Sequence, residues 1–497
     1  MTEDTYVGAI DQGTTGTRFM VFDHGGRPVA AAYERHEQYY PRPGWVEHDP
    51  LEIWANTKAV IGDALAEAGI DASALAAVGV ANQRETTVAW DAATGEPVHR
   101  AIVWQDRRTT DRIEALEAAG RTAAIRETTG LEPDAYFSAT KAEWLLDDAG
   151  AARRERAAAG EVLLGTIDAW LCWQLTGAHV TDVTNASRTM LFDVHEAAWD
   201  DALLAEFGVP RAALPDVRPS SEDAYGTTDP DGFLGAAVPV TAALGDQQAA
   251  LFGQTCVDAG DAKSTTGTGS FILMHTGTEA VASDHGLLTT IAFQRAGEPV
   301  QYALEGSIFV TGAAIEWLED VGLIAEPAET AALARSVDST DGVYFVPAFQ
   351  GLGAPHWDGR ARGTIVGLTR GTERAHVARA ALEAIAYRTR EVVEAMTADA
   401  GVDLTALRVD GGAVENDVLC QLQADVLGTE IRRPAVEETT ALGAAYAAGL
   451  AVGYWDSVDA LREHWRLDAA FSPSADAAVD YDRWRAAVER SRDWATE

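Results

Sequence analysis

Short, nearly unbroken apolar runs alternate along this chain with longer segments in which apolar residues recur every three to four positions. The runs at residues 6–10, 18–22, 75–81, 162–166 and 406–409 predict strands, and 101–104 predicts a shorter one. Residues 50–67 predict an amphipathic helix with Asp49 as its cap and Pro50 in its first turn. Further helices are expected over 168–175, 309–320, 375–400 and 440–452, the last rich in alanine and glycine and suited to close packing. Strands alternating with helices of this length place the chain in the α/β class. Several strands end directly in charged or polar residues, as at Arg84-Glu85 and Asp106-Arg107, which is where α/β sheets gather ligands.

Two stretches break the alternation with glycine and threonine. Residues 6–23, YVGAIDQGTTGTRFMVFD, read as strand, turn over 12–17 and strand; residues 262–274, AKSTTGTGSFILM, repeat that plan. Glycines such as Gly13 and Gly16 let backbone N–H groups approach an anion, and Thr14, Thr15 and Thr17 add hydroxyl donors. No Gly-Lys-Ser/Thr follows the glycines, so neither turn is a Walker A loop. Asp11, at the end of the first strand, suits a Mg²⁺ ion that shares its ligands with phosphate oxygens. One such hairpin in each half predicts two related domains, 1–254 and 255–497, closing on one cleft, with a helical tail at the end.

A length of 497 residues fits two large domains, and an apolar fraction of 47% is that of a globular protein. The net charge of −39 changes the picture more. Lys58, Lys141 and Lys263 are the only lysines, and acids are spread along the chain rather than gathered in a tail. Nucleic acid and anionic membrane surfaces are disfavoured as partners. An acidic, lysine-poor exterior on an ordinary core is expected of a halophile's protein, whose self-repulsion is screened by salt. Cys172, Cys256 and Cys420 lie far apart in no metal or redox spacing, there is no basic-then-apolar leader, and a cytoplasmic location is expected.

Asp246 follows an apolar strand and opens a helix in LGDQQAALFG. It can cap that helix, and it can also accept a proton from a hydroxyl that attacks a γ-phosphate. Arg84 and Glu85 offer donors and acceptors side by side for a polyhydroxyl substrate, or else form a surface ion pair of small energetic consequence. Trp104 and Phe271 can cover a small carbon skeleton or serve as ordinary core.

Several motifs together resemble the FGGY carbohydrate kinases. They are DQGTT (11–15), PGWVEHDP (43–50), NQRETT (82–87), YFSATK (136–141), GDQQAALFGQ (245–254), VPAFQGLGAPHWD (346–358), ARGTIVGLTRG (361–371) and VDGGA (409–413). The resemblance runs from about residue 5 to about residue 455, and NQRET with WVEHDP points to members that phosphorylate glycerol rather than pentuloses or gluconate. It implies two actin-like (ribonuclease-H-like) domains with ATP and glycerol in the cleft between them. By the same resemblance Arg84, Glu85, Tyr136, Asp246 and Gln247 hold the glycerol hydroxyls, Trp104 and Phe271 pack on its carbons, and Asp246 is the base. Thr14, Thr15, Gly16 and Arg18 meet the nucleotide phosphates from one side, Thr268 and Gly312 from the other. Gly412 and Asn416 line the adenosine end, Glu316 lies near the nucleotide, and Asp11 works with Asp246 around Mg²⁺. A homodimer or homotetramer without nucleic-acid or membrane partners is expected.

The chain departs from the resemblance at named positions. Gly16 stands where a serine is usual, Thr266 and Ser270 replace larger or thiol residues, and Glu316 replaces a glutamine, setting a negative charge near a polyphosphate. Residues 229–240, DPDGFLGAAVPV, carry no arginine to grip fructose 1,6-bisphosphate, so inhibition by that sugar is expected to be absent. Two other readings stay open: a kinase of the same family acting on another sugar or polyol, and an actin-like ATPase switch.

Overall fold

The computed structural model describes residues 5–148, 150–475 and 479–495. The start of the acidic N-terminus and parts of the C-terminal tail fall outside these residues. Two sheets organise the chain. In the first the order is Val240–Gly245, Leu75–Asn82, Tyr6–Gln12, Gly16–Phe22, Pro28–Arg35. The last three strands form an antiparallel meander, and the other two add in parallel to Tyr6–Gln12.

In the second sheet, Glu430–Pro434, Ala406–Asp410, Ala262–Thr266, Ser270–Gly277 and Gln301–Ile308 take the same order with the same directions. Leu288–Phe293 and Leu467–Phe471 extend it at either edge. The repeat inferred from two glycine-rich turns is thus a repeat of topology.

The predicted elements hold with shifted ends. The first helix runs Pro50–Ala68, and the Asp49 carboxylate accepts from the Leu51 N–H as its cap. The strand expected over 101–104 is only Ala101–Ile102, and the helix expected from 309 begins at Gly312. The first turn is shorter than 12–17, because Gln12 and Gly16 are still in the ladder and leave a three-residue tip.

One helix crosses between the halves. Thr439–Ala451, from late in the chain, packs on the first sheet and on the helix Asp246–Gly253. Its small residues are required there. A Cβ on Gly443 would sit 1.8 Å from the Ala249 carbonyl, and one on Gly79 would sit 2.1 Å from the Ala444 carbonyl. Ala444, Ala445 and Ala448 join Val7, Ala9, Leu244, Leu273 and Ala303 in an apolar cluster shared by both halves. The Thr439 hydroxyl and the Gln254 amide both donate to the Asp410 carboxylate, tying this helix to the end of a strand in the second sheet. Among the described residues no helix is long and apolar enough to cross a membrane.

Candidate active site

The two glycine-threonine tips and the polar ends of the first sheet converge between the halves. At the first tip the Gly13 N–H donates to the Gly16 carbonyl, 2.9 Å. That N–H is therefore spent inside the turn and not free for an anion, contrary to the reading of the sequence. Gly16 is a buried strand residue, and a Cβ there would meet the Glu34 carbonyl at 2.5 Å and the Tyr33 ring at 2.6 Å. The Glu34 carbonyl, backed by the Tyr33 ring, takes the room a serine would need, which accounts for the glycine.

The hydroxyls remain. Thr14 Oγ1 accepts from the Trp104 indole N–H at 3.0 Å, and Thr15 Oγ1 lies 3.3 Å from the Tyr33 hydroxyl. Behind the tip, the Gln38 amide donates to the Thr14 carbonyl and the Gln83 amide to the Gln12 side chain. His48, buried between Gln38 and Gln83, is pushed down to about 3 by burial and by His36. Arg18 lies across the ladder from Asp11 and pairs with Glu438, just before the crossing helix.

Asp246 is the first residue of its helix rather than the cap; Gly245 takes the cap position. Its carboxylate accepts from the Gln247 N–H at 2.7 Å and meets Arg84 Nε at 3.2 Å, with 28% of the side chain exposed. Burial raises its pKa and Arg84 opposes the rise. Asp11 is raised to about 6, first by burial, with Arg18 lowering it and Asp246 adding to the rise. Two carboxylates that each destabilise the other's charge favour a hard cation between them. Among the described residues no group of three or more His, Cys, Asp or Glu is arranged to hold a metal alone. A donor set of two carboxylates, with phosphate and water oxygens completing the shell, fits Mg²⁺.

Arg84 and Glu85 are not a surface pair: they are 3% and 1% exposed. Their mutual contact is long, 3.9 Å. Arg84 instead grips Glu305 with both terminal nitrogens, at 2.5 and 3.0 Å, and Glu85 accepts from Arg188 Nε at 2.7 Å. Glu85 has φ +61°, and its carbonyl accepts from the hydroxyls of Ser138 and Thr87. A left-handed glutamate held by its surroundings is the kind of strain found at binding sites.

Over this floor Trp104 stands edge-on to Tyr136 at 5.6 Å and to Phe271 at 6.5 Å, while the Arg84 guanidinium lies 5.7 Å from the Phe271 ring centre. The Gln247 side chain accepts from Lys263, a fully buried lysine lowered to about 8 by burial. Lys141, also buried, donates to the carbonyls of Tyr136 and Phe137 and fixes that turn. Sequence reasoning missed Arg188, Glu305 and Lys263. The one signal for Lys263 was its rarity: two of the three lysines are buried at this site.

On the far side of the second tip lies a cavity of about 800 Å³. Thr268, Gly312, Glu316, Gly412 and Asn416, from three separate stretches, all line it. Gly312 touches the tip: its N–H donates to the Gly267 carbonyl at 3.0 Å, and a Cβ would clash with the same oxygen at 2.4 Å. Gly412 has nothing within 4 Å of where a Cβ would stand, so its backbone borders open space. Asn416 caps the helix Asp417–Leu427 and donates to Thr330, while the exposed Glu316 borders the cavity. Thr14, Thr15, Arg18 and Asp11 do not line this cavity; they stand at the other tip.

The N-terminal domain of the FGGY family of carbohydrate kinases matches residues 6–253, and the C-terminal domain of that family matches 262–452. The chain belongs to the FGGY family of carbohydrate kinases. It is 69% identical to the glycerol kinase of Haloferax volcanii, covering 100% of both chains, and 68% identical to that of Halobacterium salinarum over 99% of both. These relatives come from halophilic archaea, as the acidic, lysine-poor composition implied. The glycerol kinase of Petrotoga mobilis is 55% identical over 99% of this chain and 100% of its own.

Among solved structures, Plasmodium falciparum glycerol kinase with ADP superposes with a TM-score of 0.92 at 37% identity over 98% of each chain. A xylulose kinase from Lactobacillus acidophilus, 21% identical with a TM-score of 0.86 over 98% of this chain and 97% of its own, shares the two-domain FGGY fold.

Proposed function

We infer that this FGGY kinase is an ATP:glycerol 3-phosphotransferase, with domains 1–254 and 255–497, located in the cytoplasm as a homodimer or homotetramer. The reading rests on one observation above the others. The full-length identity to glycerol kinases coincides with a polyol-sized floor of Arg84, Glu85, Asp246 and Gln247 under Trp104, Tyr136 and Phe271.

Arg84 and Glu85 supply donor and acceptor to the glycerol hydroxyls, Tyr136 and Gln247 orient them, and the two aromatic rings exclude water from the carbons. Asp246 takes the proton of the terminal hydroxyl as its oxygen forms the bond to the γ-phosphorus and the bond to the departing ADP breaks. Thr14, Thr15 and Arg18 face the phosphates from the first tip, Thr268 and Gly312 from the second, Gly412 and Asn416 border the adenosine, and Glu316 lies near the nucleotide. Asp11 and Asp246 would hold the Mg²⁺ that accompanies ATP, and the ion would offset the phosphate charge.

The test is product formation from MgATP with glycerol, dihydroxyacetone, xylulose and ribulose in molar KCl. Glycerol 3-phosphate is the expected product, and Asp246→Asn lowers kcat by roughly 10²–10⁴-fold with the fold intact, as loss of a general base does. A pentulose reacting while glycerol does not would move the substrate within the family, and glycerol-independent ATP turnover would favour the actin-like switch.

A further inference from the structure

Beneath the polyol floor lies a closed ring of four buried charges. Arg84 binds Glu305, Glu305 Oε1 accepts from Arg188 Nη2 at 3.1 Å, Arg188 binds Glu85, and Glu85 returns to Arg84. Arg188 and Glu305 have fully buried side chains, so their part is played on other side chains rather than at the surface of the site. The flanking arginines hold the Glu305 carboxyl at about 2 against the cost of burial. One Arg188 nitrogen, Nη1, is buried with no protein partner.

The ring draws on three places in the chain. Arg84 and Glu85 follow the strand Leu75–Asn82, Arg188 follows the short helix Val183–Ala186, and Glu305 belongs to the strand Gln301–Ile308 of the second sheet. Glu305 is therefore a second-half residue that fixes a first-half guanidinium from behind.

We propose that Glu305 and Arg188 are positioning residues of the polyol site: together they hold Arg84 and Glu85 in register, and that register depends on contact between the two halves. This rests on the polyol reading of Arg84 and Glu85. The arrangement explains how a glutamate with φ +61° keeps its carboxylate in place, since Arg188 holds the carboxylate while Ser138 and Thr87 hold the carbonyl. It also explains how Arg84 can spend three donor contacts on Glu305 and Gln248 and still present Nε toward Asp246. Removing one member leaves a buried charge without its partner, so the others must shift or admit water.

The test is steady-state kinetics of Glu305→Gln and Arg188→Lys in molar KCl, with circular dichroism to select folded protein. KM is followed for whichever polyol the wild type phosphorylates, so an error in the substrate shows in the wild type and an error in this proposal shows in the variants. Glu305→Gln is expected to raise KM for the polyol at least tenfold with KM for ATP within threefold, and Glu305→Asp to lie between it and wild type. Arg188→Lys keeps the charge, loses the forked contact, and provides the same polyol-selective rise should Glu305→Gln not fold. A purely structural role would lower the melting temperature and leave both KM values unchanged in the folded fraction. That result, or parallel rises in both KM values, overturns the proposal.

Discussion

The two ends of the cleft are built on different principles. At the polyol end the charged and amide groups are buried or half-buried and already bonded: Arg84 to Glu305, Glu85 to Arg188, Gln247 to Lys263, with the half-buried Thr14 bonded to Trp104. At the nucleotide end a cavity of about 800 Å³ is bordered by exposed Thr268 and Glu316 and by Gly412, where an added Cβ would meet nothing within 4 Å. A small triol offers three hydroxyls and little surface, so selectivity needs groups fixed in advance. A nucleotide brings many contacts of its own, and a site for it needs space, free backbone and a place for negative charge.

The comparison can be broken most forcefully where the polyol end meets its support. Gly443→Ala sets a methyl group against the Ala249 carbonyl, in the middle of the Asp246 helix. It is expected to cost about 3 kcal/mol of stability, the upper range for overpacking, and to lower kcat by moving Asp246. Denaturant unfolding beside kinetics checks both.

Gly412→Val probes the other end. The side chain enters open space, so stability should change by less than about 0.5 kcal/mol. KM for ATP should rise about tenfold, or about 1.4 kcal/mol, with KM for glycerol unmoved. A rise in the glycerol KM instead would mean that the two ends are not independent.

Proton linkage tests how firmly the first half is closed. His48, behind the first tip, is pushed down to about 3, and His179 to about 4, both chiefly by burial. The unfolded chain takes up these protons near pH 6.5 and the folded chain does not, so stability falls as pH drops through 6.5. Between pH 6.5 and 5.5 each contributes a loss of about 1 kcal/mol. Asp11 and Asp182, both raised to about 6, act in the opposite sense over part of this window. The histidine share is therefore read as the difference between wild type and His179→Gln, by urea unfolding at fixed KCl. A variant with the wild-type slope would show that His179 titrates freely in the folded protein.

The smallest effect belongs to Glu316, exposed beside the nucleotide cavity. Glu316→Gln should lower KM for ATP about twofold, since an exposed charge is well screened in high salt.

The strands, the long helices and both glycine-threonine tips were legible because each depends on local pattern, and apolar period and turn chemistry are local properties. Thr268, Gly312, Glu316, Gly412 and Asn416 were named only through the resemblance to the FGGY kinases, whose ordered motifs place them, and all five line the cavity. Their meeting in one cavity required the fold.

Harder to read were the partners of buried charges. Glu305 sits in an apolar strand 221 residues from Arg84, and Arg188 lies 103 residues from Glu85. Nothing near either residue distinguishes a site glutamate or arginine from an ordinary one. The sequence also misjudged Gly13, whose N–H closes its own turn, and left open for Asp246 a cap role that the structure gives to Gly245, Asp246 opening the helix as read. In both cases one or two residues of register decided where a donor or acceptor points.

By itself the sequence determined the α/β class, the two hairpin-bearing halves, the family and an acid-rich exterior, because these depend on composition, period and ordered motifs. The tertiary structure alone decided that one late helix seats on the first sheet, that Gly16 is required by the Glu34 carbonyl and the Tyr33 ring, and that Arg84 is held from the opposite half. These are contacts between segments far apart in the chain, and packing and charge pairing in the folded state set them.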